Sequence, residues 1–218
     1  MLSVLKNEPE GRRERKKRAK LQRIEAAARR LFQHQGYEAT TTRAIAEEAE
    51  IGVGTLFVYF PEKLDLLVHL YKEDLLRVSS EAVDGLPRDL PLVESLWRVF
   101  DAIYRFYEAD PALARTFVKE LMFLDLDRQA EMLNMTLGFL GRIGQLVMAA
   151  QARGEVRTDV PAPLAAHQIF GIYYWGLVAW LAGTFPGREA VSVHLRMALE
   201  LLWTGLACPE ARREGSHE

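Results

Sequence analysis

The sequence predicts an all-α protein with a short three-helix part at its N-terminus and a larger helical part behind it. Apolar residues recur three and four positions apart along the whole chain, which is the period of amphipathic helices. No run of β-branched residues alternates with polar residues, so strands are not indicated. Glycine and proline interrupt the apolar pattern at intervals that mark the ends of successive helices.

The first three predicted helices are short or strongly basic. The first covers about 15–34, and Gly36 ends it because glycine readily adopts the left-handed conformation that stops a helix. The threonines that follow favour a helix start at about 43–49. The third helix, 53–59, ends before Pro61, because the residue before a proline is pushed out of the helical conformation. The apolar stripe of the first helix consists of Leu21, Ile24, Ala28 and Leu31.

The remaining helices are longer. One begins at Glu62, runs to about Ser80 and ends before the Gly-Leu-Pro sequence at 85–87. The later ones are predicted at about 92–108, 111–124, 126–153, 162–184 and 188–207. We therefore divide the chain into a flexible basic arm at 1–14, a first domain at 15–66, a second domain at 67–207 and a flexible tail at 208–218.

Composition narrows the class of protein. Of the 218 residues, 49% are hydrophobic and 27% are charged, which is typical of a globular protein and excludes disorder as the main state. The single cysteine, Cys208, excludes an internal disulfide framework and a Cys-rich zinc site. The first residues lack the apolar segment of a signal peptide, so we expect a cytoplasmic protein.

Positive charge is concentrated near the N-terminus. Residues 11–30 carry ten basic and two acidic side chains, although the formal net charge of the chain is −2. Such a concentration attracts a polyanion by electrostatic steering and counterion release. A solvated helix start has the same composition, so charge alone leaves both interpretations open.

The first three predicted helices have the order and lengths of a helix-turn-helix, whose second short helix enters the major groove of DNA. A plain three-helix packing unit has the same outline. The segment TTRAIAEEAEIGVGTLFVYFPEKLDLL, residues 41–67, resembles the DNA-binding segment of the tetracycline-repressor (TetR) family. The resemblance covers roughly 20–67 and implies an N-terminal helix-turn-helix domain followed by a helical ligand-binding and dimerisation domain.

The resemblance also implies which residues contact DNA. Thr42 and Arg43 match positions that hold phosphate. The recognition-helix surface corresponds to Gly52, Val53, Gly54, Thr55 and Phe57, and the backbone contacts correspond to Tyr59 and Lys63. The basic residues Arg12, Arg13, Lys16 and Lys17 complete the expected DNA-binding set. The three-helix core is expected to contain Ile45, Ala49, Ile51 and Leu56.

Three positions depart from the family pattern. Glu50 stands where a turn glycine is usual, so it either adopts a left-handed conformation at a cost of about 1–2 kcal/mol or shifts the turn. Gly52 lacks the side-chain oxygen that caps a helix. The family commonly has a Tyr-x-Tyr or Tyr-x-His pair where this sequence has Phe57-Val58-Tyr59, so one side-chain hydroxyl is lost. We therefore expect direct readout of the bases to be poor in hydrogen bonds. We expect the basic arm or DNA shape to contribute part of the specificity.

Aromatic, methionine and glycine residues are mixed along the second domain, which favours an apolar cavity between helices over a plain aliphatic core. The resemblance also implies a ligand pocket, and we expect an unidentified hydrophobic small-molecule effector. Candidate lining residues are Trp97, Phe100, Tyr104, Phe123, Phe139, His167, Phe170 and Tyr174. Polar groups that could orient the ligand are Gln168, Tyr173, Arg98, Arg105 and Asn134. For each residue alone, an ordinary core or surface position is the alternative.

The segment 169–185 contains no charged residue, so a membrane span has to be considered. Its internal glycines and the lack of flanking basic residues argue against one. A helix that is apolar all round is more simply buried on two sides. With the helix that follows, it resembles the dimerisation face of the family, with candidate residues Leu177, Trp180, Leu195, Leu199 and Leu202.

These observations predict a homodimeric regulator, a repressor that binds double-stranded DNA at a palindromic operator and is released by the effector. We expect neither an enzyme nor a membrane protein. Gly52-Val53-Gly54 follows no strand and is no nucleotide-binding loop, and the histidines lack metal-ligand spacing, so no metal or cofactor is expected. The alternatives are a helical binding or carrier protein, or an enzyme, without operator binding, and an architectural DNA binder with a filled core.

Overall fold

A computed structural model describes residues 11–121, 124 and 126–206, and within them the chain is helical with short connections. The helices are α1 (Arg12–Ala39), α2 (Thr42–Glu48), α3 (Val53–Tyr59), α4 (Lys63–Asp84), α5 (Leu92–Glu108), α6 (Pro111–Leu121), α7 (Leu126–Ala152), α8 (Ala162–Leu181) and α9 (Arg188–Leu206). The predicted all-α fold is confirmed. Most predicted helix ends lie within a few residues of the observed ones.

The differences in helix ends have local causes. Helix α1 begins at Arg12, so the last residues of the predicted flexible arm are helical. The rest of that arm, 1–10, and the predicted tail, 208–218, lie outside the described residues. Helix α8 ends at Leu181, earlier than predicted, because Gly183 has a φ of 90° that turns the chain away.

The chain divides into two compact units, Met1–Leu70 and Tyr71–Glu218, with the boundary inside α4. In the first unit α1 packs on α2 and α2 packs on α3. The predicted core residues Ile45, Ala49 and Leu56 are buried, whereas Ile51 is half-buried. The face of α1 toward this core is turned slightly from the predicted stripe and consists of Ile24, Ala27, Ala28 and Phe32.

Gly36 breaks α1 near its end. Its φ of 80° and ψ of 164° lie outside the helical region, and one more turn follows it. The buried Thr40 then donates a hydrogen bond of 2.7 Å from its hydroxyl to the carbonyl oxygen of Gly36. The predicted glycine stop is thus present, and the chain continues directly into α2.

The second unit is a bundle in which α5 and α8 contribute most of the buried side chains. Helix α5 packs on α9 and α7, and α8 packs on α7, α9 and α6. Helix α8 buries ten of its twenty residues, because its apolar surface extends around most of the helix. Helix α6 is joined to the end of α8 by Arg115, whose Nε donates to the carbonyl of Leu181 at 2.8 Å.

A buried carboxylate joins α5 to α9. Asp101 is 3% exposed and accepts hydrogen bonds of 2.7 Å from both the Arg188 guanidinium and the Ser192 hydroxyl. Arg105 contacts its second oxygen at 2.8 Å. The Trp97 indole donates to the same Ser192 hydroxyl at 3.1 Å. The buried charge is therefore fully paired, as burial of a charge requires.

Residues of α5 and α9 pack tightly against α8 at Gly176. The hydroxyl of the buried Tyr104 donates to the carbonyl oxygen of Tyr173 at 2.9 Å and lies beside this glycine. A β-carbon at residue 176 would lie 2.6 Å from that hydroxyl oxygen and 3.2 Å from a methyl group of Val191. The packing therefore leaves no room for a side chain at this position.

Candidate nucleic-acid interface and effector cavity

The turn between α2 and α3 has a defined hydrogen-bond pattern. Thr41 caps α2, since its hydroxyl oxygen accepts from the amide of Ala44 at 3.1 Å. At the other end, the amide of Glu50 donates to the carbonyl of Glu47, and the amide of Ile51 donates to the carbonyl of Ala46. This pair of bonds is a Schellman motif, which requires a left-handed residue after the helix.

Glu50 supplies that left-handed residue. Its φ is 53°, and it is the non-glycine residue with positive φ in the described part of the chain. The first of the two expected outcomes is therefore the observed one: the turn keeps its place, and Glu50 bears the strain. Its carboxylate also lies 3.6 Å from the guanidinium of Arg23 on α1, as an exposed ion pair.

Helix α3 presents an exposed surface that combines small and apolar groups. Gly52 and Gly54 are exposed, and the side chains of Phe57 and Val58 are 45% and 84% exposed. Two adjacent large apolar side chains are therefore presented to solvent on this helix. The predicted recognition residues Val53 and Thr55 on the same helix are half-buried.

The other predicted DNA contacts lie on α1 and α2. Arg12, Arg13, Lys16 and Lys17 are all exposed on the first two turns of α1. Thr42 is half-buried, and the exposed Arg43 is paired with Glu47 one turn along α2 at 3.1 Å. The hydroxyl of Tyr59 donates to the backbone carbonyl of Lys17 at 3.3 Å, which connects α3 to the basic part of α1.

Lys63 has a different environment from the one that the resemblance implies. Its ammonium donates to the carbonyls of Tyr37 at 2.6 Å and Thr40 at 2.9 Å, with Glu38 at 3.5 Å. It also lies 4.1 Å from the centre of the Tyr37 ring, a cation–π contact. These carbonyls end α1, where a cation is favourable. Lys63 therefore fastens the end of α1, and its three protons already have acceptors.

We expect Lys63→Met to lower the free energy of unfolding by about 1–3 kcal/mol. In the variant, the backbone carbonyls that accept hydrogen bonds from the Lys63 ammonium would have no charged donor. Thermal unfolding measures this directly. The slope of DNA affinity against salt is expected to stay unchanged, since the ammonium is engaged by the protein. A slope reduced by about one unit, with stability unchanged, would instead assign Lys63 to a phosphate.

An apolar cavity of about 350 Å³ lies in the second unit between α4, α5, α7 and α8. Ligand pockets occupy roughly 300–1,000 Å³, so this cavity is large enough for a small effector. Most of its wall is aliphatic or aromatic. The apolar lining includes Leu75, Leu76, Met135, Phe139, Phe170 and Leu177.

A few polar groups interrupt this apolar wall, including Asn134, Arg142 and three tyrosines. Burial raises the pKa of Tyr107 and of Tyr173. Burial also raises the pKa of Tyr174. The phenols therefore stay protonated at physiological pH and can donate hydrogen bonds to a carbonyl or hydroxyl oxygen of a ligand.

Three predicted pocket residues line this cavity: Phe139, Phe170 and Tyr174. Phe100 and Tyr104 are fully buried and stack behind it on Tyr173, with ring centroids 4.5 Å and 5.3 Å away. These two predictions were wrong, because the rings fill the core between α5 and α8.

Two further candidates lie away from this cavity and line other pockets: Trp97 lines one with Arg98 and Arg105 on α5, and His167 lines one between α7 and α8. Trp97 faces Ser192 and Arg196 of α9. His167 is exposed on the first turns of α8, with Nδ1 2.6 Å from the carbonyl oxygen of Pro163. The remaining candidate, Phe123, lies outside the described residues. Of the predicted polar groups, Tyr173 and Asn134 line the cavity.

The prediction missed the wall that α4 contributes. Leu75, Leu76, Ser79 and Ser80 line the cavity, and Leu76 is 42% exposed. A signal was present in the sequence, because apolar residues at 75 and 76 cannot both belong to one narrow stripe of α4. Arg142 was missed because nothing in the pattern of α7 distinguishes it from an ordinary surface arginine.

The predicted dimer residues are mostly buried within the protomer. Leu177, Trp180, Leu195 and Leu199 are 1–8% exposed and pack in the core of the protomer, so they offer little surface to a partner; Leu202 is half-buried. The exposed apolar residues of the same two helices lie on other faces. They are Leu164, Trp175, Val178, Val193, Met197 and Leu201.

The described residues contain neither a candidate metal site nor a candidate membrane-spanning helix. Among them no group of three histidine, cysteine, aspartate or glutamate side chains could hold a metal ion. Within the same part of the chain, no helix combines the length and apolarity that a membrane crossing needs.

A helix-turn-helix unit with a basic first helix, followed by a helical unit with an apolar cavity, defines a class of protein: ligand-responsive, DNA-binding transcriptional regulators. Residues 24–70 match the family model described as "Bacterial regulatory proteins, tetR family". The chain is 31% identical over 182 residues to the HTH-type transcriptional repressor KstR of Rhodococcus jostii, covering 83% of this chain and 81% of that protein. The chain therefore belongs to the TetR family of bacterial regulatory proteins.

Other relatives agree in fold. The Thermus thermophilus FadR structure, a TetR-family transcriptional repressor in complex with lauroyl-CoA, is 26% identical with a TM-score of 0.71, covering 86% of this chain and 95% of that one. The fatty acid metabolism regulator protein of Bacillus subtilis is 24% identical over 167 residues, covering 77% of this chain and 86% of that protein. The expected fold and class of function are thus confirmed.

Proposed function

We propose that this protein is a cytoplasmic homodimeric repressor that leaves a palindromic operator when an acyl compound with a long apolar chain occupies the cavity of the second unit. The observation that carries the effector class is the cavity itself: about 350 Å³, apolar along most of its wall, with hydrogen-bond donors from tyrosine. A chain of methylenes suits such a wall, because its burial is favourable at about 0.8 kcal/mol for each CH₂ group.

The named relatives support this choice of effector. The FadR structure of Thermus thermophilus contains lauroyl-CoA, and KstR of Rhodococcus jostii is named a repressor. A repressor is released when its ligand binds the conformation with low DNA affinity better than the other conformation. Helix α4 contributes to both units in sequence, with Leu66 and Leu67 buried before the boundary and Leu75 and Leu76 in the cavity wall after it. We propose α4 as the element that carries the coupling.

The test begins with selection of bound sequences from a random duplex pool at 50 mM and 200 mM salt. Enrichment of a palindrome is expected, with affinity falling by orders of magnitude between the two salt concentrations. Lauroyl-CoA is then added to the protein bound to the selected duplex, and release is measured by fluorescence anisotropy. Coupling of about 1–3 kcal/mol corresponds to a 5- to 150-fold weaker DNA affinity. Binding without any response to lauroyl-CoA would contradict the proposed effector class, and lack of enrichment would contradict the operator.

A dimer is supported by an exposed apolar stripe on α9. Val193, Met197 and Leu201 are spaced by four residues and are 60%, 63% and 75% exposed, and Trp175 and Val178 add apolar surface on α8. Exposed apolar side chains aligned along one face of a helix are typical of a protein interface. Two-fold symmetry also suits a palindrome, because two recognition helices about 34 Å apart meet successive major grooves.

We expect Met197→Glu to convert the dimer into monomers, because each copy would bury a carboxylate in the symmetric interface. Sedimentation equilibrium measures the mass, and operator affinity is expected to fall with it. Ala112→Glu, at an exposed position of α6, is the matched control and should leave the dimer intact. A Met197→Glu protein that stays dimeric would place the interface elsewhere.

A further inference from the structure

Helices α4 and α7 are joined by two ion pairs. Lys72 pairs with Glu131, and Asp84 pairs with Arg142. Twelve residues separate the two positions on α4 and eleven separate them on α7, which is about 16–18 Å of helix in each case. Both helices therefore run in the same direction here. The cavity residues of α4 and α7 lie between the two pairs along each helix.

Arg142 belongs to both an ion pair and the cavity. Among the described residues that line the cavity, it is the one with a permanent charge. Its side chain is 29% exposed, and its partner Asp84 is 71% exposed. The guanidinium thus stands between an apolar chamber on one side and a solvated carboxylate on the other.

The carboxylate partner is a replaceable one. Asp84 is the last residue of α4, and a negative charge at the C-terminal end of a helix is unfavourable. Because Asp84 is mostly in water, it loses little by returning to full solvation. A ligand anion that carries an apolar chain gains binding free energy from burial of that chain as well as from its contact with Arg142. Asp84 gains only the contact, so such a ligand can displace it.

We propose that Arg142 recognises the anionic end of the effector, which takes the place of Asp84 while the apolar chain fills the cavity. This inference rests on the proposed function and specifies the effector as an anionic amphiphile. Arginine binds carboxylate and phosphate alike through its two parallel N–H groups. The charge is therefore either a free carboxylate or the phosphates of a CoA thioester, and the exchange frees the last turn of α4 from α7.

The neutral polar groups of the cavity have a separate role. Tyr173, Tyr174 and Asn134 can donate hydrogen bonds to a carbonyl or hydroxyl oxygen, but they do not distinguish an acid from an alcohol of the same length. Selectivity for charge is assigned to Arg142 alone. A comparison of ligands that differ only in charge isolates its contribution.

Isothermal titration calorimetry with laurate, lauroyl-CoA and 1-dodecanol tests the proposal on the full chain. Arg142→Gln is expected to weaken binding of at least one of the two anions about ten- to a hundredfold, since a charge-assisted bond is lost, and to leave dodecanol binding within twofold. Asp84→Asn breaks the same ion pair but removes the competing carboxylate, so binding of that anion should become several-fold tighter. Arg77→Gln, which breaks ion pairs with Asp74 and Glu81 within α4, is the matched control.

The outcomes separate the possible failures. Weaker binding of laurate assigns the carboxylate as the partner of Arg142, and weaker binding of lauroyl-CoA alone assigns the phosphates; both support the proposal. Equal losses for dodecanol and the anions would overturn it, because Arg142 would then be a structural residue. Unchanged anion affinity in Arg142→Gln would overturn it as well. If the wild-type protein binds none of the three probes, the proposed effector class itself fails.

Discussion

Gly54→Glu is expected to weaken operator binding more than a hundredfold, because like charges brought together at an interface cost several kcal/mol. Gly54 is exposed in the first turn of α3, and a β-carbon there meets no atom within 4 Å. The fold therefore accepts a side chain at this position. A carboxylate on the face that we propose enters the major groove would lie among phosphates, where the field of the DNA opposes it.

Two variants separate charge from bulk and from folding. Gly54→Ala should leave the free energy of unfolding unchanged or raise it by up to about 0.5–1 kcal/mol, because alanine loses less backbone entropy than glycine when it becomes helical. If its DNA affinity nevertheless falls, the backbone of α3 approaches the duplex too closely for a methyl group. Ala112→Glu, far along the chain, adds the same charge and should retain affinity. Anisotropy titrations give the affinities, and wild-type affinity in Gly54→Glu would remove α3 from the interface.

Gly176→Ala is expected to lower the free energy of unfolding by about 1–3 kcal/mol, the usual cost of overpacking a core. The added methyl would stand 2.6 Å from the Tyr104 hydroxyl, which cannot move aside because it is buried and bonded to the carbonyl of Tyr173. For a chain of this size each kcal/mol lowers the Tm by about 2–4 °C. Calorimetric melting measures the change.

The clash predicts a specific rescue. Tyr104→Phe removes the oxygen that the methyl meets, so the double variant with Gly176→Ala should lose less stability than the sum of the two single variants. Gly171→Ala on the same helix has no atom within 4 Å of the new β-carbon and should be stabilising. Additive effects of Gly176→Ala and Tyr104→Phe would show that the methyl is accommodated in another way.

The sequence predicted the helices well because their ends carry strong local information. Thr41 caps α2, Gly36 breaks α1 and Pro61 follows the end of α3, and each acts on the backbone within a few residues. The strain at Glu50 was predictable for the same reason, since a turn of fixed length after α2 requires a left-handed residue whatever its side chain.

The side-chain assignments on α8 were harder because that helix is apolar on most of its surface. Periodicity identifies the buried face of an amphipathic helix, but α8 offers no polar face as a reference. Leu177 and Val178 are adjacent and equally apolar, yet Leu177 lines the cavity and Val178 is 37% exposed. The same holds for two phenylalanines on other helices: Phe100 is buried behind the cavity and Phe139 lines it, and only tertiary packing decides between these positions.

The role of Lys63 shows a different limit. Its position in the family pattern indicates a basic group near the DNA, and the three carbonyls that accept its protons come from a turn more than twenty residues earlier. That turn exists because Gly36 interrupts α1. The Lys63 contacts therefore depend on the backbone path after Gly36, and the helical spacing of residues does not predict that path.

The pairing of Asp101 with Arg188 constrains the order in which parts of the protein can fold during synthesis. The two residues are 87 positions apart, and a ribosome takes roughly 4–17 s to add that length of chain at 5–20 residues per second. Until α9 emerges, the Asp101 carboxylate lacks two of its three partners, and α5 cannot bury it without a large penalty. The helix-turn-helix unit has no such dependence, since its core lies within the first 70 residues. A chain that terminates before Arg188 would therefore release a folded DNA-binding unit without a finished sensor.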